Sequence, residues 1–262
     1  MYIYLLTFFV SILLCSLSEY KLMPIINNSF EKKVILFLLF FLVALIPGIL
    51  GGVRDFSIGT DIKVYGNIWF NFARESSSLR DYLNAASVSS IGSLYAFFNF
   101  IVSRFTSNPH WFYFWYCLVE NIIVLLALCE NKDIISITLG WATYLFIFYN
   151  TNFNMLRQGM ALVILLLGFK YIRKKSLIKF LLVVLFAYLF HNTAIIGIVL
   201  YPLYQIIVNR VDRKQKILPV YIILSIFVFL FEAISKYLLD AGILSMRYAM
   251  YVNSDNQQPG SI

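Results

Sequence analysis

Long apolar runs separated by short polar connections fill the chain from end to end. The runs read as spans over 2–18, 34–50, 110–129, 134–150, 153–169, 178–192, 193–208 and 218–238. Each approaches the length a helix needs to cross the roughly 30 Å hydrocarbon core of a bilayer. In lipid the backbone must satisfy its own N–H and C=O groups, so each run is expected to be helical. A further apolar stretch, 91–103 (IGSLYAFFNFIVS), is short for a crossing and predicts a re-entrant or interfacial helix. The pattern therefore predicts an all-α, polytopic membrane protein of about eight transmembrane helices plus that short helix. Residues 1–240 are expected to form one membrane domain, with 51–109 as its long connection and 241–262 as a polar tail. No internal repeat is visible.

Composition sharpens this. Apolar residues make up 61% of the 262 and charged residues only 13%, whereas soluble domains carry about one-quarter charged residues. The net charge of +8 would suggest a nucleic-acid partner in a soluble protein. Here the basic residues sit in short loops between apolar runs, which is the pattern of cytoplasmic anchoring, and no nucleic acid is expected. Cys15, Cys117 and Cys129 lie in or beside apolar runs without a CxxC spacing, and read as packing residues. The first run lacks a basic leader and a small-x-small cleavage site, so it reads as a retained helix.

Counting cations assigns the sides. If 91–103 does not cross, then 19–33, 130–133, 169–179 and 209–216 share one face and carry 3, 1, 5 and 4 Lys or Arg, or 13 of the 21. If it does cross, Lys170 to Lys175 falls opposite Lys32 and Lys33, which the positive-inside rule disfavours. The non-crossing arrangement puts both termini, the 51–90 loop, Arg157 and His191 outside the cytoplasm.

Three polar groups on that side are candidates for chemistry. After Gly51 and Gly52 come Arg54, Gly59, Thr60, Asp61 and Tyr65. Asp61 and Tyr65 share a face if a helix starts at Thr60. This stretch reads equally as an interfacial loop with a snorkelling arginine. An Asn-rich turn, 150–154, then leads into an apolar helix with Arg157 and Gln158 in its first turn. A cation there opposes the macrodipole and needs an anion. Asp61 or a ligand phosphate would serve, since guanidinium suits both. Finally His191 lies where one span ends and the next begins. Beside two arginines its cation would be disfavoured, leaving a neutral base or donor. His110, the other histidine, stands at a loop edge. Glu120 is mid-span, where an ionisable group is either functional or a protonated cross-helix bond. No metal-ligand cluster, P-loop or DxD-type nucleotide-sugar signature is present. The 18% aromatic content could stack on sugars but fits lipid-facing packing better.

On these residues the chain resembles the EpsG/Wzy family of bacterial oligosaccharide repeat-unit polymerases. Arg54 with Gly59, Thr60, Asp61 and Tyr65 matches the loop after the second span. Asn154, Arg157, Gln158 and Ala161 in NMLRQGMA match the family's N-x-x-RQ-x-x-A helix start, and Phe190, His191, Asn192 and Thr193 its helix end. The resemblance implies a GT-C-like fold and polymerisation of undecaprenyl-diphosphate-linked oligosaccharide on the periplasmic face of the inner membrane, without metal or cofactor. A flippase and a chain-length regulator are implied as partners, beside membrane lipids. It implies diphosphate and sugar binding by Arg54, Arg157, Gln158, Tyr65 and Asn154, and catalysis by His191, Asp61 and Arg157. Family members usually continue with further spans after a segment like Arg247 to Tyr251, where this chain runs into its polar tail. Two other functions fit the bare residues: a membrane acyltransferase acting on surface glycans, and a transporter of lipid-linked glycan.

Overall fold

The structure is a computed structural model that describes residues 2–22 and 30–212, with positions 218–222, 225, 226, 230 and 237 beyond them. The chain divides into two compact units, Met1–Tyr201 and Pro202–Ile262. All three candidate groups lie in the first.

The described elements are helical. α1 (Tyr2–Ser16) continues as a π-helical stretch, Leu17–Leu22, and α2 covers Phe30–Val53. The 51–90 connection holds two short amphipathic helices, α3 (Asn67–Glu75) and α4 (Leu79–Val88), not foreseen in sequence. α5 (Ser93–Phe105) is the expected short apolar helix; its 13 residues extend about 20 Å, well under a bilayer core. α6 (Pro109–Glu130) follows. Then come α7 (Ile137–Thr143), a π-helical stretch Tyr144–Phe148, and α8 (Tyr149–Asn152). α9 (Leu156–Arg173) and α10 (Leu177–Tyr188) lead through a 3₁₀ stretch, Asn192–Val199, to α11 (Leu200–Asp212).

Among the described residues four helices are long and apolar enough to cross a membrane: Tyr2–Tyr20, Val34–Val53, Pro109–Glu130 and Asn192–Val211. The eight expected spans are therefore not all of that kind. α9 carries Arg157, Lys170 and Arg173 within its length, and α10 is a shorter apolar helix. The 134–150 run is interrupted by its π-helical turn. The 218–238 run falls largely, and the 241–262 tail wholly, outside the described residues.

α6 is the central strut. α2 packs on it through glycines: a Cβ on Gly51 would lie 2.7 Å from Cys117 Sγ, and one on Gly52 2.7 Å from Phe114 Cβ. Small residues let two backbones approach this closely where packing rather than water drives association. Pro47 sits inside α2, so the carbonyl four residues back, Val43, loses its helical donor. Ser11 Oγ supplies one at 2.8 Å and itself accepts from Trp141 Nε1 at 2.9 Å. An orphaned carbonyl in lipid thus becomes a tie between α1, α2 and α7. α6 holds the π-helical stretch, α8 and α9 by polar bonds from one stripe. Tyr116 Oη donates to the Leu156 carbonyl at 3.0 Å, Glu120 accepts from Asn152 Nδ2 at 2.6 Å, and Asn121 accepts from Tyr144 Oη at 3.1 Å.

Candidate functional site

The turn after α2 and the turn before α9 are built on each other. Asp55 accepts from Ser57 N at 2.7 Å and its carbonyl from Ile58 N at 3.0 Å, which folds the chain back immediately after Arg54. Gly59 follows with φ +104°, and a Cβ there would sit 2.5 Å from the Phe153 carbonyl oxygen. Only glycine fits both the conformation and the space. The partner turn, 150–154, is closed by Phe153 N to the Asn150 carbonyl and Asn154 N to the Thr151 carbonyl. Asn154 Oδ1 then accepts from Thr60 N at 3.0 Å.

Asp61 and Tyr65 share a face, as the spacing predicts: Tyr65 Oη donates to Asp61 Oδ2. The same carboxylate oxygen accepts from Leu156 N at 2.8 Å. Leu156 is the first residue of α9, so Asp61 caps that helix from ninety-five positions upstream, satisfying one of its free donors and countering its positive end. Burial pushes the Asp61 carboxyl above its ordinary value, against the two hydrogen bonds and the charge of Arg157.

The arginines differ from that carboxylate in keeping buried nitrogens without a hydrogen-bond partner. Arg54 is 5% exposed. Its guanidinium carbon lies 3.4 Å from the Phe153 ring centroid and 5.3 Å from that of Tyr113. Its Nε and Nη1 are buried without a hydrogen-bond partner. Cation–π contact offsets part of the desolvation, but burial still pulls Arg54 below its ordinary value. Arg157 stacks 4.5 Å over the Tyr65 ring, donates Nη1 to the Ser90 carbonyl at 3.0 Å, and leaves its buried Nε unbonded. Asp61 is within reach of the Arg157 charge, yet no ion pair forms between them among the described residues. The carboxylate considered in sequence as the partner of Arg157 is occupied as a helix cap instead.

The third group joins through the loop before α5. A Cβ on Gly92 would meet the Phe190 carbonyl oxygen at 2.1 Å, and Leu94 N donates to the Leu189 carbonyl at 3.0 Å. The same loop supplies Ser90, the acceptor for Arg157. α10 ends at Tyr188 rather than at 192, so His191 stands in an extended turn outside the helix. Burial and the Arg157 charge push its imidazole below the ordinary value, which favours the neutral ring. Gln158 is exposed and Asn154 serves the Thr60 backbone. Glu120 is 3% exposed and holds Asn152, two residues before Asn154. Sequence reading overlooks the caging rings Tyr113 and Phe153 and the Ser90 carbonyl. Aromatic residues are too common here to stand out, and a backbone acceptor carries no residue signature. Among the described residues no cluster of His, Cys, Asp or Glu is arranged to hold a metal.

A buried Arg54 and a half-buried Arg157 at one end of a helical protein are groups that call for an anionic partner in an apolar setting. The comparison with family models is specific: the EpsG family model matches residues 34–262, and the chain belongs to that family of exopolysaccharide and O-antigen polymerase-like proteins. Membership makes it a membrane protein related to polysaccharide synthesis, with lipid-linked glycan as the implied substrate class. No curated protein and no solved structure matches the chain.

Proposed function

We propose that the chain polymerises undecaprenyl-diphosphate-linked oligosaccharide repeat units at the periplasmic face of the bacterial inner membrane, within a GT-C-like domain over residues 1–240. Eight spans with 91–103 as a non-crossing helix, and both termini outside, complete that reading. The observation that carries it is the pair of guanidiniums, Arg54 and Arg157, whose buried nitrogens lack acceptors. A diphosphate supplies oxygens for both. As the glycosidic bond to the lipid diphosphate breaks, its charge develops between cations already held in place by the rings of Phe153 and Tyr65, and preorganised charge of this kind is commonly the largest catalytic contribution. Asp61 fixes the start of α9 and with it Arg157, and Tyr65 braces both groups. Neutral His191, with Asn154 and Gln158 at the rim, faces the acceptor sugar. The growing chain moves from its lipid carrier to the next unit, and no cofactor or metal enters. Flippase and chain-length regulator act before and after it.

Complementation of a polymerase-deleted strain tests this. Arg157→Ala is expected to abolish the ladder of polymer, and Arg157→Lys to restore little of it, because an ammonium cannot reproduce the planar fork. Full ladders from both variants would overturn the proposal.

A further inference from the structure

His110 takes no part in that reading, yet it is the imidazole that the fold holds most firmly. Its Nδ1 lies 2.7 Å from the Gly52 carbonyl oxygen. A carbonyl can only accept, so Nδ1 carries the proton and the neutral ring presents an unprotonated Nε2. Its ring stacks on Phe56 at 4.2 Å between centroids and 16° between planes, and Phe56 in turn meets Tyr113 edge-on at 6.0 Å. Tyr113 is one of the two rings against Arg54. The backbone bond fixes the tautomer and the stack fixes the plane.

The position has two further features. Gly52 is two residues from Arg54, at the end of α2, and a Cβ at Gly52 would meet the His110 carbonyl oxygen at 3.4 Å. The imidazole and the buried guanidinium thus flank one turn. Asp55, between Arg54 and Phe56, is close enough for its carboxylate to interact with the His110 charge. His191, by contrast, has no side-chain hydrogen bond to fix its tautomer among the described residues, and the charge that reaches it is that of Arg157. The helix N-cap at α6 needs nothing from the ring, because Asn108 Oδ1 already accepts from His110 N at 3.0 Å.

We propose that His110 Nε2 is the proton acceptor for the sugar hydroxyl that attacks, a proposal that rests on the polymerisation reading above. The hydroxyl proton passes to Nε2 as its oxygen bonds to the anomeric carbon of the donor. The bond from that carbon to the lipid diphosphate breaks, and the electron pair leaves on the phosphate oxygen that Arg54 and Arg157 receive. The products are the lengthened glycan on its lipid, the free lipid diphosphate, and a proton on His110 that returns to solvent. No oxidant, metal or nucleotide is needed.

The test uses the full chain in detergent, with lipid-linked repeat units extracted from a polymerase-deleted strain as the probe. His110→Asn keeps an N–H at the Nδ1 position for the Gly52 carbonyl but has no base at Nε2. It is expected to accumulate in membranes and to keep the KM of the wild type while kcat falls about 10²-fold or more. His191→Asn, in parallel, is expected to lose less. A His110→Asn variant that turns over at the wild-type rate overturns the proposal. Should that variant fail to accumulate, His110→Ala with added imidazole decides: restored turnover upholds the role and none removes it. A wild-type protein that makes no polymer from the probe would instead remove the polymerisation reading, and this assignment with it.

Discussion

The two ends of the helical bundle treat charge in opposite ways. At one end 19, 130–138 and 170–173 meet, and every charge bonded there has a partner. Lys170 Nζ reaches Glu130 at 2.8 Å, Arg173 pairs with Asp133 and donates to Asn131 Oδ1 at 3.0 Å, and Glu19 caps α7 through Ile137 N and Thr138 N. At the other end Arg54 and Arg157 share no ion pair with any described carboxylate, although Asp55 and Asp61 are neighbours in sequence or space. Those two carboxylates are committed to backbone N–H groups instead. The chain has the means to neutralise cations and uses it where they serve only the fold. Where it withholds a partner, a buried Arg54 and a half-buried Arg157 stand without a carboxylate, and the proposed diphosphate would supply the missing anion.

That contrast can be broken by making the second end resemble the first. Ser90→Asp places a carboxylate on the residue whose carbonyl Arg157 already contacts, at a φ of 57° that aspartate tolerates. Turnover is expected to fall about 10²-fold or more, in line with loss of a charge-stabilising group, while the melting temperature holds or rises. Unchanged turnover would mean that Arg157 needs no free anion site.

Gly59→Ala comes next. The positive φ and the 2.5 Å approach to the Phe153 carbonyl leave no room, so a loss of about 1–3 kcal/mol in stability is expected in a thermal melt. Activity should fall with it, since Phe153 cages Arg54. A smaller effect concerns pH. Burial raises Asp61, so the folded protein holds that proton more tightly than the unfolded chain does. Stability from this group is therefore full below the ordinary carboxyl range and is lost as pH rises through the raised value. Melting curves should show the wild type gaining on acidification relative to Asp61→Asn; parallel curves would contradict the assignment. The smallest effect belongs to the paired end. Glu130→Ala should cost under about 1 kcal/mol and leave polymer length unchanged, as expected for an exposed pair.

The sequence already locates Arg54, Asp61, Tyr65 and Arg157, because charges are rare in apolar context and their types and spacing stand out. Gly59 is equally visible as a break in the loop. The apolar runs announce helices, and α5 appears within two residues of its expected bounds. What stays hidden is of another kind. The link from Asp61 to Leu156 N spans ninety-five residues and follows no local pattern. α3 and α4 are short, and their apolar stripes drown in a chain so apolar elsewhere. His110 looks unremarkable beside His191 until the Gly52 carbonyl and the Phe56 ring are seen on either side of it. The count of crossing helices is illegible for a related reason: hydropathy weighs composition, whereas Arg157, Lys170 and Arg173 sit in α9 for the sake of its two ends.

The π-helical stretch Tyr144–Phe148 bears on how this protein could change length. Such a stretch is an α-helix with one residue too many in a single turn. Removing one residue there would let the turn relax to α geometry while Tyr149 and Asn152 keep their faces toward Pro47 and Glu120. The same deletion in the middle of α6 would swing every later side chain by about 100° and uncouple Tyr116 from α9. The chain therefore carries, at this stretch, a place where one residue can be lost without turning the helix that follows.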